Sequence, residues 1–92
     1  MKEQIVKEVW EKSSPEYVKI IDDSEAHKGH RGTTKVGNSH FSLFVVSSAF
    51  NSLSLVKRHQ LVYGWCKPFF DEGLHALALE TLTVEEWRRK HG

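Results

Sequence analysis

Ninety-two residues make one small domain, residues 1–92, with room for a single core and little surplus stability. Thirteen Lys and Arg against twelve Asp and Glu give a formal charge of +1, which excludes the overall basic footprint that sequence-independent DNA or RNA binding needs. A single cysteine, Cys66, excludes an internal disulfide and fits a reducing intracellular compartment, the cytosol or mitochondrial matrix. No apolar run approaches the roughly 20 residues of a membrane span, and Met1-Lys2-Glu3-Gln4 is unlike a secretory signal or an Arg/Ser-rich transit peptide.

From Lys2 to Lys12, Ile5, Val6, Val9 and Trp10 recur at helical spacing with charged residues opposite, predicting an amphipathic helix with those four on its apolar stripe. Ser13-Ser14-Pro15 stops it, because a proline disfavours helical geometry in the residue before it. Tyr17 to Asp22 alternates as a short strand, with Val18 and Ile20 on one face and Tyr17 and Ile21 on the other. Asp23 to Ser39 is a long polar segment with three of the six glycines, and loops of that length in a small domain are functional or mobile.

Phe41 to Val46 is the strongest strand, apolar on both faces apart from Ser42, a pattern expected of a central strand covered on both sides. Ser47 to Ser54 connects, with Phe50 as its anchor. Leu55 to Phe70 predicts the long helix, with Leu55, His59, Val62, Cys66 and Phe69 on one face, and Asp71-Glu72-Gly73 ends it with a glycine after the cap. Leu74 to Thr81 alternates as a third strand. Thr83 and Glu86 form a capping box that opens a terminal helix through Trp87.

The order is α-β-β-α-β-α. Strands one and two form an antiparallel pair, while strand two, helix and strand three form a crossover that is parallel and right-handed by rule. The fold class is α+β, a three-stranded mixed sheet with strand two central and helices packed on it.

Six histidines set this chain apart, and three of them, His27, His30 and His40, fall within fourteen residues. Strand two starts near His40, and a parallel strand three must start at the same end, where its first residues are Leu74 and His75. Adjacent strands lie about 4.8 Å apart. His75 is therefore expected at the sheet edge from which the segment carrying His27 and His30 projects. Imidazoles from separate elements could there share a metal, with further ligands from outside. Equally, histidines in polar loops are commonly plain surface residues. A His-x-x-His pair with dispersed histidines and no cysteine pair falls short of the closed four-ligand set of a structural zinc site.

Elsewhere, Gly29-His30-Arg31-Gly32 fits the G-x-x-G that clamps a nucleic-acid backbone, but it follows a strand, whereas the clamp joins two helices. Asp22 and Asp23 point to opposite faces of a strand and do not make a carboxylate pair. Arg58 is a partner contact or a structural group, His59 a satisfied histidine on an apolar face, and Cys66 a small buried hydrophobe. No nucleophile–base pair, phosphate loop or complete metal set supports an enzyme.

Asp22-Asp23-Ser24, Ser39-His40-Phe41, Val45-Val46-Ser47, Phe50, Arg58-His59-Gln60-Leu61-Val62, Leu74-His75-Ala76-Leu77 and Leu82-Thr83-Val84-Glu85-Glu86-Trp87 resemble, in order and spacing, the BolA family. The resemblance runs from about Tyr17 to Trp87. It implies a fold like the class II KH domain and a partner, monothiol glutaredoxin of the Cys-Gly-Phe-Ser type. With that partner the family shares a [2Fe-2S] cluster in iron–sulfur maturation or iron regulation. It further implies that His75 is one ligand and a histidine between strands one and two the other, best matched by His27 with His30 in reserve. Glutaredoxin and glutathione would supply the thiolates.

Imidazole in place of thiolate removes negative charge and tends to raise a cluster's potential. Because imidazole binds only when neutral, capture should weaken as pH falls through the histidine range. Arg58, Leu74 and Ala76 are the expected partner contacts. His40, His59 and His91 are read as bystanders, and the isolated chain as a monomer or weak dimer. Members of the family are also associated with bacterial transcription, so DNA binding through Lys57, Arg58 and Lys67 of the long helix is the alternative.

Overall fold

Ile5 and Val9 stand one helical turn apart, and both are fully buried on the inner side of α1 (Lys2–Ser13). Trp10, expected on the same stripe, is instead 50% exposed, because one further residue turns the side chain about 100° away from that row. The helix ends in a left-handed Ser14, whose N–H donates to the Trp10 carbonyl at 3.0 Å. The buried Ser13 ties this end down: its carbonyl accepts a 2.7 Å bond from the Ser47 hydroxyl. The computed structural model describes residues 1–23 and 40–91; the glycine-rich stretch with its G-x-x-G lies outside them.

Three strands follow, β1 (Tyr17–Asp22), β2 (His40–Val46) and β3 (Ala76–Leu82), in the order β1-β2-β3. β1 and β2 are antiparallel, with Ile20 opposite Leu43, and β2 and β3 are parallel, with Leu43 opposite Leu79. Two-residue alternation places Phe41, Leu43 and Val45 inward, where with Leu77, Phe50, Ile5 and Val9 they make one core. The expectation that β2 is covered on both sides holds fully on the inner side and in part on the outer, where Val46 is buried. On the outer side Ser42 and Phe44 are half-buried, and neighbouring Ile21 is 47% exposed. Cover there comes from the end of the chain, where Trp87 stacks on Tyr17 with ring centres 5.6 Å apart.

Between β2 and the long helix, Ser48–Phe50 forms a single 3-10 turn that drives Phe50 into the core at 0% exposure, as its anchor role required. Helix α2 (Leu55–Asp71) is capped by Ser54, whose hydroxyl accepts the Lys57 N–H at 3.3 Å. Its buried row is Arg58, Val62 and Cys66, spaced by four. Leu55, expected on that face, is 61% exposed. Its helical angle is right, but a first-turn residue is buried only where another element reaches over it, and Leu55 and Val56 both stay uncovered.

Within α2, Pro68 lacks the N–H that would bond the carbonyl four residues back, at Gly64. Nothing lies within 4 Å of where a Gly64 side chain would begin. Gly64→Ala is therefore expected to stabilise the protein by about 0.5–1 kcal/mol, through lower backbone entropy in the unfolded chain. A denaturant midpoint that fails to rise would place the Pro68 distortion at Gly64 itself.

Gly73, at φ +122°, makes the reversal after α2, in a region where L side chains are strained. The Leu74 N–H still bonds the Phe69 carbonyl at 3.0 Å, so Leu74 and His75 belong to the helix exit and β3 begins at Ala76, two residues later than alternation alone suggests. Helix α3 (Val84–His91) opens on the expected capping box: the Glu86 N–H donates to Thr83 Oγ1 at 3.1 Å and the Thr83 N–H to Glu86 Oε1 at 2.9 Å. It runs a full turn beyond Trp87, helped by the Arg89–Glu85 pair along its surface.

Candidate functional site: the histidine end of the sheet

His40 is the first residue of β2 and pairs in register with Ala76, the first residue of β3. Parallel strands that start level bring whatever precedes β3 alongside His40. The residue there is His75, whose ring lies 6.2 Å from that of His40, centre to centre, with the planes 18° apart. His75 is exposed and His40 half-buried. The end of the sheet where His75 was expected is thus where it stands. Its described companion is His40, which sequence reasoning set aside, while His27 and His30 lie outside the described residues. The signal was present: the register argument that moves His75 to this edge applies equally to the first residue of β2. Among the described residues no three His, Cys, Asp or Glu side chains gather closely enough to hold a metal by themselves.

Two of the expected partner contacts are corrected. Arg58 is 7% exposed, and its guanidinium is spent inside the chain. Nε donates to the Leu53 carbonyl at 3.0 Å and Nη1 to the Thr81 carbonyl at 3.2 Å. Nη1 and Nη2 also grip the Glu86 carboxylate at 2.8 and 3.2 Å. The same carboxylate caps α3, so Arg58 is a clasp joining α2, β3 and α3, and the alternative DNA surface loses it as well. Leu74 is 3% exposed and part of the core, because its helix-exit backbone turns the side chain inward. Ala76 is exposed, as are Lys57 and Lys67 on α2.

Cys66 is fully buried, and that burial, with the negative charge of Glu8 behind it, pushes its thiol up to about 11. It stays protonated at neutral pH, which removes it as nucleophile or thiolate ligand. His59 is half-buried on α2. Tyr63, beyond it, donates from its hydroxyl to the Leu77 carbonyl at 2.7 Å, so with Arg58 it blocks carbonyls along the open edge of β3.

The model of the BolA-like protein family matches residues 10–86. A Vibrio cholerae protein named DNA-binding transcriptional regulator BolA is 36% identical over 85 residues, 92% of this chain and 76% of its own. The SufE-like protein 1 of Arabidopsis thaliana, chloroplastic/mitochondrial, is 38% identical over 94% of this chain, which spans 23% of that protein. Among solved structures, BolA1 from Arabidopsis thaliana superposes with a TM-score of 0.84 at 33% identity, covering 94% of both chains. The BolA domain of SufE1 from the same plant gives 0.80 at 36% identity, over 91% of this chain and 92% of that one. By sequence and by fold, this chain belongs to the BolA family.

Proposed function

We propose that this chain is a non-enzymatic partner of monothiol glutaredoxins of the Cys-Gly-Phe-Ser type. It would hold one half of a shared [2Fe-2S] cluster in iron–sulfur maturation and trafficking or in iron regulation, in the cytosol or the mitochondrial matrix. The observation that carries this reading is His75, an exposed imidazole at the end of the sheet where residues 24–39 leave β1 and re-enter β2. That stretch contains His27, the second proposed ligand, and His30, its reserve.

The donor chemistry fits half a site. The chain's one cysteine is sealed in the core, so this side offers imidazole only, and thiolates have to come from the glutaredoxin and from glutathione. A bound cluster of mixed imidazole and thiolate ligation supplies one-electron chemistry at a potential above that of an all-thiolate cluster. The protein's own part is to present His75 at the end of the sheet, just before β3, with Ala76 beside it as a contact small enough to let a partner approach.

Anaerobic reconstitution with a glutathione-loaded monothiol glutaredoxin, followed by visible absorption and native mass, tests this. His75→Ala is expected to abolish the shared-cluster spectrum while far-UV circular dichroism stays unchanged, and an unchanged visible spectrum rejects the assignment.

DNA binding is the second reading, favoured by the names of relatives such as the Vibrio cholerae regulator. With Arg58 internal, Lys57 and Lys67 remain as its exposed cations on α2. Two phosphate contacts imply a shallow salt dependence, a slope of roughly −2 in log–log form. A salt-dependent gel shift by a chain that ignores glutaredoxin would favour this reading over the first.

A further inference from the structure

We infer that His40 and His75 together form a two-imidazole site for a divalent late first-row transition ion, Cu(II) above the others, in the isolated chain. Nothing in the cluster reading uses His40. The inference shares His75 with that reading but needs no glutaredoxin, no glutathione and no residue between β1 and β2.

The geometry sets the reach. A metal held about 2.0–2.1 Å from an imidazole nitrogen stands roughly 3.2 Å from the centre of that ring. Two rings on one ion can then be up to about 6.4 Å apart, and the observed separation is 6.2 Å. The rings are near-parallel, 18° apart, so an ion shared at that spacing requires the exposed His75 ring to turn until one of its nitrogens faces His40. One ligand is fixed: His40 sits in the parallel ladder opposite Ala76. The other leaves the tight reversal at Gly73, with the Leu74 N–H bonded to Phe69 behind it. With both backbones placed, ordering the two side chains is a small entropic cost for a chelate.

The donor type selects the ion. Imidazole suits copper, nickel and zinc, and the divalent series places Cu(II) highest for a given nitrogen site. Among the described residues no third His, Cys, Asp or Glu joins the pair, so those residues supply two ligands and leave the other positions to water. An open two-ligand site binds well below a closed structural one and exchanges readily.

Titration of the full chain with Cu(II) alone, by calorimetry and electron paramagnetic resonance, tests the inference. The expected result is one readily exchanging equivalent per chain with nitrogen hyperfine structure from two imidazoles. His40→Asn and His75→Ala should each weaken that equivalent at least tenfold and leave one nitrogen. A His27→Ala/His30→Ala double variant should keep both nitrogens and the affinity. Far-UV circular dichroism and the metal-free melting midpoint check that the variants fold; asparagine keeps a polar side chain at position 40. Copper bound unchanged by His40→Asn, or lost from the double variant, overturns the site, as does a wild-type chain that takes up no copper. The glutaredoxin reconstitution is scored separately: its failure leaves the copper result standing, and a failed copper titration leaves the shared cluster untouched.

Discussion

Arg58→Ala is expected to cost about 3 kcal/mol, a large share of the roughly 5–14 kcal/mol that holds a domain of this size together. Removing one member of a buried ion pair usually costs about 3–5 kcal/mol, because the other charge is left without water or partner. Here the Glu86 side chain is 40% exposed and can rehydrate, which pulls the expectation to the lower end. What cannot rehydrate so easily are the Leu53 and Thr81 carbonyls that the guanidinium satisfies, each worth about 1–3 kcal/mol when stranded. Arg58→Lys keeps the charge but not the planar fork, so it should recover only part of the loss. Denaturant unfolding of the three proteins measures this, and a cost under about 1 kcal/mol for the alanine variant would refute the clasp.

The same clasp makes an acid-sensitive joint. The Arg58 hydrogen bonds, with the Thr83 N–H second, hold the Glu86 carboxyl at about 2, below its ordinary 4.5. A carboxyl lowered by folding adds stability that is complete above the ordinary value and lost as pH falls from there towards about 2. Glu86→Gln should therefore flatten the melting midpoint across that window, while leaving a lower midpoint at neutral pH.

Elements were legible where a local rule decides them. Alternation sets Tyr17–Asp22, the capping box sets the start of α3, and glycine after a helix cap marks the reversal at Gly73. Misreadings cluster where burial depends on what another element covers. Leu55 and Trp10 have defensible helical positions yet stay exposed, and the outer side of β2 is only part-covered, with Ser42 and Phe44 half-buried and Val46 buried. Arg58 shows the converse. From the sequence Arg58 reads as a partner contact or a structural group, and only the tertiary arrangement brings Glu86, twenty-eight residues on, and two backbone carbonyls around it.

At the site, topology carried more than motif. A parallel β2–β3 pair requires His75 at the end of the sheet where β2 begins, and that much follows from element order alone. The later start of β3, after the helix exit at Leu74, leaves His75 just outside the ladder, one residue before the His40–Ala76 pair. Sequence reasoning judged His40 by its neighbours in the chain, where it looks like one more polar-loop histidine. Its significance comes from register, which pairs it with Ala76 and so with the residue before Ala76.

Phe50→Ala is the second change expected to have a large effect, a loss of about 3–5 kcal/mol. Phe50 is wholly buried at the 3-10 turn that leads from β2 into α2, and it packs in the same core as Phe41, Val45 and Val62. The turn is short and braced by its own hydrogen bonds, the Ala49 N–H to Ser47 Oγ at 3.0 Å and the Phe50 N–H to the Ser47 carbonyl at 3.2 Å. Ser47 in turn is tied to Ser13. A turn held this way cannot slide inward to fill the space a phenyl ring leaves, so the cavity penalty is expected near the top of its range. Phe50→Leu, which keeps most of the volume, should cost no more than about 1.5 kcal/mol. Phe50 also has a place in the functional geometry, since it anchors the crossover that delivers β3, and with it His75, beside β2. Under conditions where the Phe50→Ala protein remains folded, the two-imidazole site should still take up copper, because its ligands are set by the β2–β3 register at the far end of the sheet. Loss of the copper signal from folded Phe50→Ala protein would instead mean that the crossover, and not the register, holds His75 in place.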